Sequence, residues 1–246
     1  MSVSIIPGFP LRAEYILTPY DRGNIRDDST PKSGKGRSLN ADSVLKYGKS
    51  TIKYCFFNFY RSPAMNIEQA RFNMIEQQIR TWEVLDKGVL GLLAVVRRED
   101  FVPPAYRALA FVDTEVPLGE GENMPPPRVE ARMLQDLQVQ RHERVLEIGA
   151  GSGFMAALLG HRAQSVISLE IKPALAKMAA DNLRRSGAAN VSVVQADGAH
   201  GYAAEAPFDA IMLSGSVSRV PDVLLKQLKP GGRLVAIEGN EPVMEA

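Results

Sequence analysis

The stretch Arg144–Phe154 constrains this chain more than any other. Val145 to Ile148 is a short apolar run that predicts a buried strand, and Phe154-Met-Ala-Ala-Leu-Leu opens a helix. Between them, glycines stand at 149, 151 and 153. Glycine removes the Cβ atoms that hold a ligand off the backbone and tolerates positive φ. The helix start beyond offers unpaired N–H groups to whatever lies in the turn. A strand, a glycine turn and a helix in this order imply an α/β fold that binds something polar at one sheet edge.

The rest of the C-terminal half extends this pattern. Strands are expected at 144–149, 165–171, 190–197, 208–214 and 233–238, with helices at about 153–162, 173–186 and 220–228. Pro173 suits a first helical position and Gly187 the residue just past a helix end. Lys229-Pro-Gly-Gly reads as a turn before the last strand. Apolar, β-branched strands separated by helices predict a mostly parallel sheet with helices on both faces. Right-handed crossovers then place all the carboxyl ends on one edge, where such sheets bind ligands.

The ligand class follows from those ends. A nicotinamide fingerprint needs glycine where this chain has Phe154. The pattern is instead E-x-G-x-G-x-G, beginning at Glu147. Glu170 ends the second strand, 21 residues after Gly149, where a carboxylate can accept both hydroxyls of a ribose. Asp197 and Gly198 end the third, where a side chain and N–H groups can meet an adenine. Taken singly, the glycines, Glu170 and Asp197-Gly198 each have a packing or turn explanation. In this order on consecutive strands they match a nucleoside with an amino-acid-like tail, and the chain resembles the S-adenosylmethionine (AdoMet) dependent methyltransferases.

Composition narrows the surroundings. The 246 residues are 45% hydrophobic and 23% charged, ordinary for a globular protein, and no apolar run is long enough for a membrane helix. The lone cysteine, Cys55, forms no intrachain disulfide and suits a reducing, cytoplasmic setting. His142, His161 and His200 share no metal-ligand spacing, so no metal is expected. Residues 1–64 carry ten Lys/Arg against five Asp/Glu, leaving 19 against 23 for 65–246. The acidic body offers no basic stripe for nucleic acid. Segment 1–64 lacks sustained periodicity and reads as a poorly ordered basic extension before a plausible start at Met65. Its exception is the aromatic run 54–60. From Met65 an amphipathic helix is expected through Ile67, Ala70, Met74, Ile75, Ile79 and Trp82, then a second one capped by Asp86. Phe111–Gly121 reads as irregular and Pro125–Pro127 as stiff and extended, before a helix from about Arg128.

Further motifs refine the resemblance. Asn73-Met-Ile-Glu-Gln-Gln-Ile-Arg80, Val96-x-Arg98-Glu-x-Phe-Val-Pro103 and Pro117-Leu-Gly119-x-Gly121 are similar to the N-terminal part of the protein-L-isoaspartate O-methyltransferases. So are Val145–Gly153, Ala206-Pro-Phe-Asp209 and Gln227-Leu-Lys-x-Gly-Gly-Arg-Leu-Val235, and the likeness runs from about Met65 to Gly239. It implies a Rossmann-like methyltransferase domain at 65–246, with 65–143 as a helical and substrate-loop part and 144–246 as the AdoMet core. It implies methyl transfer to the free carboxylate of isoaspartyl residues in damaged proteins. Cofactor-binding residues would be Glu147, Gly149, Gly151, Gly153, Glu170, Asp197 and Gly198.

Two departures stand out. The family's Thr-x-Ser-x-Pro segment, whose hydroxyls help hold the substrate carboxylate, reads Asn123-Met124-Pro125-Pro126-Pro127 here, so the serine position is Pro125. Ser214 and Ser216, after the fourth strand, are either substitute hydroxyls or caps of the next helix. This leaves open an impaired AdoMet-binding protein or a methyltransferase for another carboxylate. The second departure is the end at Ala246, which predicts a sheet truncated at the C-terminus with the 233–238 edge uncovered, or covered by 54–60.

Overall fold

The computed structural model describes residues 66–240 together with the backbone of three short strands, Lys46–Tyr47 (β1), Ser50–Thr51 (β2) and Val243–Glu245 (β10). The extension 1–64 lies outside the described residues, apart from the β1–β2 antiparallel pair, as does the aromatic run 54–60.

The N-terminal part is helical, in shorter pieces than the periodicity predicts. Asn66 caps α1 (Ile67–Asn73) by accepting from Gln69 N at 3.1 Å. The chain then widens into a π-helical turn at Met74–Ile79 and tightens into a 3-10 turn at Arg80–Trp82. Asp86 caps α2 (Lys87–Val95) as expected, accepting from Val89 N at 2.8 Å. A 3-10 stretch, Pro104–Phe111, leads to a hairpin where irregular chain was expected: β3 (Val116–Gly119) pairs antiparallel with β4 (Glu122–Met124). Its tip holds positive φ at Gly119, Glu120 and Gly121. The strands are too short for an alternating pattern to show in sequence. Helix α3 (Pro127–Leu137) begins at the last of the three prolines.

The remaining elements are β5 (Arg144–Ile148), α4 (Phe154–Arg162), β6 (Ser165–Glu170), α5 (Pro173–Ser186), β7 (Val191–Gln195), β8 (Phe208–Val217), α6 (Asp222–Leu225) and β9 (Leu228–Asn240). Pro173 opens α5 and Gly187, at φ 77°, closes it, both as predicted. The sheet order is β10-β9-β8-β5-β6-β7. All neighbours are parallel except the β9–β10 pair. A short antiparallel strand is added at the expected edge: Val243–Glu245 folds back onto Glu238–Asn240, so of residues 233–238 it pairs Glu238 alone. Lys229-Pro-Gly-Gly also differs from the predicted turn, since it lies within β9, where the ladder to β8 is irregular between Phe208 and Ala210.

The two sheet faces are clothed unequally. Val145, Val166, Ala210, Met212 and Val235 point into one large core with α2, α3 and α4. Leu146, Leu169, Ile211, Leu213 and Leu234 point into a smaller one. Period-2 alternation produces this division. The only α-helix on the smaller side, among the described residues, is α6, four residues long rather than the nine expected. Central β5 lies between β6 and β8, so the strand order reverses at its carboxyl end. That crevice is where open α/β sheets bind ligands.

Candidate active site

The crevice is built from the β5–α4 turn. Gly149, Gly151 and Gly153 hold φ of 90°, 52° and 83°. They are glycine for different reasons. A Cβ at Gly151 would come 3.2 Å from Leu118 Cδ1, the hairpin residue lying over the turn. One at Gly149 would meet Gly215 N at 3.4 Å. Gly153, the residue before α4, needs close packing, because its Cβ would lie 3.1 Å from Ala179 O on α5. Gly198 is likewise a packing glycine, since a Cβ there would strike Ile148 Cγ2 at 2.3 Å.

Glu147 is fully buried and accepts from Ser168 Oγ at 2.5 Å and Ser214 Oγ at 2.7 Å. Burial pushes its pKa up to about 7, the two serine bonds oppose the rise, and the charges of Glu130 and Glu170 add to it. Ser214 is therefore bonded to the motif glutamate. Neither it nor Ser216 caps a helix, because both lie in β8 and the residue before α6 is Pro221. Ser216 is exposed.

Glu170 closes the second wall. Its Oε2 accepts from Gly151 N at 2.9 Å and its Oε1 from Lys172 N at 3.0 Å. Those bonds fix the carboxylate against the turn and leave lone pairs on both oxygens for two hydroxyls. Asp197 Oδ1 accepts from Ala199 N at 2.9 Å, and on its half-exposed side chain the other oxygen lies 3.8 Å from His200 Nε2. Ile171, 59% exposed, presents an apolar surface beside Glu170. Bare backbone in the turn and a fixed carboxylate at each of two neighbouring strand ends fit a nucleoside with a charged tail. His142, His161 and His200 are all exposed, and no metal-holding group of His, Cys, Asp and Glu occurs among the described residues.

On the other side of the glycine turn, a small cavity (≈ 40 Å³) is lined by Leu118, Met124, Pro125, Glu130, Ser152 and Ser214 among others. Arg98 organises this side. It is buried, and its Nε donates to Glu130 Oε2 at 3.1 Å, its Nη1 to Ala110 O at 2.9 Å and its Nη2 to Pro125 O at 2.7 Å. Its guanidinium also lies 5.7 Å from the Phe154 ring centroid. Burial raises Glu130 to about 7 against the pull of Arg98. Lys172 ties the hairpin to the end of β6 through Glu120 O and the Glu122 carboxylate.

Sequence reasoning missed Glu130, Arg98 as its partner, Lys172 and Leu118. A signal existed for the first: Glu130, Met133, Leu134 and Leu137 share one stripe of α3, so a carboxylate interrupts an apolar face. A larger cavity (≈ 960 Å³) lies between the Val95–Arg107 segment and α5, away from the glycine turn. Its cations are committed locally, Arg97 to Glu99 and Asp100, Lys177 to Asp181 and Arg185 to Asn182.

Known proteins share this sequence and fold. A sequence model of the protein-L-isoaspartate(D-aspartate) O-methyltransferase family matches residues 69–244. The protein-L-isoaspartate O-methyltransferase of Methanoculleus marisnigri is 42% identical over 169 residues, 69% of this chain and 77% of that one. Protein-L-isoaspartate O-methyltransferase 2 of Shewanella sediminis is 42% identical over 172 residues, 70% of each chain. A Plasmodium falciparum structure named for the same activity, in complex with S-adenosyl-L-homocysteine, shares the fold, with a TM-score of 0.61 at 20% identity over 74% of this chain and 88% of that one.

Proposed function

Because the chain belongs to the protein-L-isoaspartate(D-aspartate) O-methyltransferase family, whose members are AdoMet-dependent enzymes, we propose that residues 65–246 methylate isoaspartyl carboxylates in damaged proteins or peptides through the crevice at the end of β5. The observation that carries the reading is the glycine turn flanked by Glu147 and Glu170, closed above by Leu118. AdoMet supplies a methyl group on a sulfonium: its S–C bond breaks as the C–O bond to the carboxylate forms, giving a methyl ester and a neutral thioether. The acceptor is already ionised near neutral pH, so the protein needs alignment and exclusion of water more than a strong base.

In this reading Glu147 and the glycines at 149, 151 and 153 face the methionine end, Glu170 holds the ribose, and Asp197 with Gly198 borders the adenine. Segment 65–143 brings the acceptor side and 144–246 the cofactor core. The protein works in a reducing compartment such as the cytoplasm, supported by its lone Cys55. No helix among the described residues is long and apolar enough to cross a membrane.

The test supplies methyl-labelled AdoMet with an isoaspartyl peptide and its ordinary aspartyl counterpart. Labelled ester should form on the first and not the second. An absence of transfer, with S-adenosylhomocysteine (AdoHcy) still binding in a calorimeter, overturns the assignment.

A further inference from the structure

The acceptor side of the cavity lacks the means usually used to hold a carboxylate. Its polar lining side chains are Asn123, Glu130, Ser152 and Ser214. Asn123 turns its amide to Glu115 at 3.0 Å, on the exposed hairpin. Ser152 Oγ accepts from Phe154 N and points at Met124 Sδ, 3.7 Å away. Ser214 is bonded to Glu147. Pro125 has neither hydroxyl nor N–H, and its carbonyl is held by Arg98. No Lys or Arg lines the cavity. Glu130 remains. One of its oxygens accepts from Arg98, and the other makes no hydrogen bond among the described residues.

We propose that Glu130 is the acceptor-recognition residue of this chain, its neutral carboxyl group donating a hydrogen bond to the acceptor's carboxylate. The proposal rests on the methyltransferase reading above and names how that site holds its substrate. Arg98 keeps Oε2 and so directs the proton to Oε1 of this cavity-lining residue. An ionised Glu130 would repel the acceptor; a protonated one forms a carboxyl–carboxylate hydrogen bond, strong in a buried setting. A carboxylic acid kept neutral by burial can serve as such a donor. Esterification removes the acceptor's charge and weakens the bond, which favours release of product over substrate. The charged groups that face Glu130 are Arg98 and, from β5, Glu147, while Asp113 acts on Arg98. The hairpin, α4 and β8 present Leu118, Met124, Met155 and Ser214 to the cavity instead.

The experiment measures binding of an isoaspartyl peptide to the protein–AdoHcy complex by calorimetry, and turnover with AdoMet, between pH 5.5 and 8.5. The parent, Glu130→Gln and Glu130→Ala are compared, with AdoHcy affinity as the control for folding. In the parent, peptide affinity and kcat/KM should fall as pH rises through about 7, where burial places Glu130. Glu130→Gln retains a donor, so its peptide affinity should persist and its pH dependence flatten. Glu130→Ala should lose about 10- to 100-fold in peptide affinity, with AdoHcy binding nearly unchanged. A parent-like pH profile in Glu130→Gln, or parent-like peptide affinity in Glu130→Ala, overturns the proposal. Turnover insensitive to Glu130 would leave the repair reading standing without it. Glu130-dependent peptide binding without turnover would uphold recognition and remove the repair reading.

Discussion

The two halves of the site solve opposite problems with similar residues. On the cofactor side, Glu147 and Glu170 are held only by hydroxyls and backbone N–H groups, three of those four donors lying in β6, in its turn to α5 and in the glycine turn. Among the described residues no cationic side chain bonds either carboxylate, which suits a ligand that itself brings positive charge. On the acceptor side, Glu130 is paired with a buried arginine that also grips two carbonyls. One half is a rigid anionic cradle. The other is an arginine that holds one oxygen of a single buried carboxyl group and so aims the other. If the proposed assignment holds, the cofactor half keeps its carboxylates ready for a ligand, whereas the acceptor half ties its carboxyl group to Arg98 beside Pro125.

The largest effect comes from breaking the pair. Arg98 and Glu130 side chains are 2% and 5% exposed, so Arg98→Met leaves a buried carboxylate without its cation. Removing one partner of such a pair costs about 3–5 kcal/mol. Urea unfolding should show that loss in Arg98→Met at pH 8 and less of it at pH 5.5, where Glu130 becomes neutral.

The pH dependence of stability comes next, and there the two halves act in the same sense. Glu130 and Glu147 both have folded values near 7, raised from 4.5. A raised carboxyl means that the folded state binds protons more tightly than the unfolded one. Stability from these groups is thus complete below pH 4.5 and declines as pH rises to about 7, by roughly 3 kcal/mol for each. Asp86, Glu143 and Asp209 are shifted down, so their contribution is lost instead as pH falls. Glu130→Gln and Glu147→Gln should each flatten the decline between pH 4.5 and 7 in urea titrations, and an unchanged slope contradicts the assignment.

How much of this was readable beforehand differs between the halves for the same physical reason. The cofactor half is local: strand, glycines and helix are contiguous, and Glu170 and Asp197 fall at the ends of strands whose periodicity is visible. Gly198 illustrates the limit, since its place after a strand end is legible but not that Ile148 leaves no room there for a Cβ. The acceptor half is assembled from residues far apart in the chain, Arg98, Ala110, Pro125 and Glu130, whose meeting no local pattern announces. Nor did the 208–214 strand forecast reveal that β8 runs on to Val217 and carries Ser214 toward Glu147.

Two altered proteins, one for each half, sharpen the contrast at intermediate cost. Gly151→Val puts a β-branched side chain at φ 52° and against Leu118, and should weaken AdoHcy binding about 100-fold by calorimetry, a change near 2.7 kcal/mol. Peptide recognition fails with it only if the acceptor half needs the cofactor in place. Conversely, Asn123→Thr with Pro125→Ser supplies the hydroxyls that the hairpin lacks. In that background Glu130→Ala should lose less than about tenfold in peptide affinity, a smaller loss than in the parent. An undiminished loss would mean that the loop hydroxyls do not reach the acceptor.

The smallest effect tests how the halves are joined. Lys172 follows Glu170 by two residues and donates to Glu120 O and Glu122 across the hairpin, fastening Leu118 over the glycine turn. The side chains of the pair are 30% and 51% exposed, so the ion pair itself contributes little, about 0.5 kcal/mol. Lys172→Ala should accordingly leave the urea midpoint almost unmoved. Its effect is kinetic: a hairpin freed at its tip opens more often, so AdoHcy should dissociate about two- to threefold faster in a stopped-flow chase, a change of the size that 0.5 kcal/mol allows. Adding salt should speed the parent toward the variant, because the pair is partly solvated. Equal release rates in the two proteins at low salt would show that Leu118 covers the turn through packing alone, and that the halves are coupled by the core beneath them instead of by the latch across them.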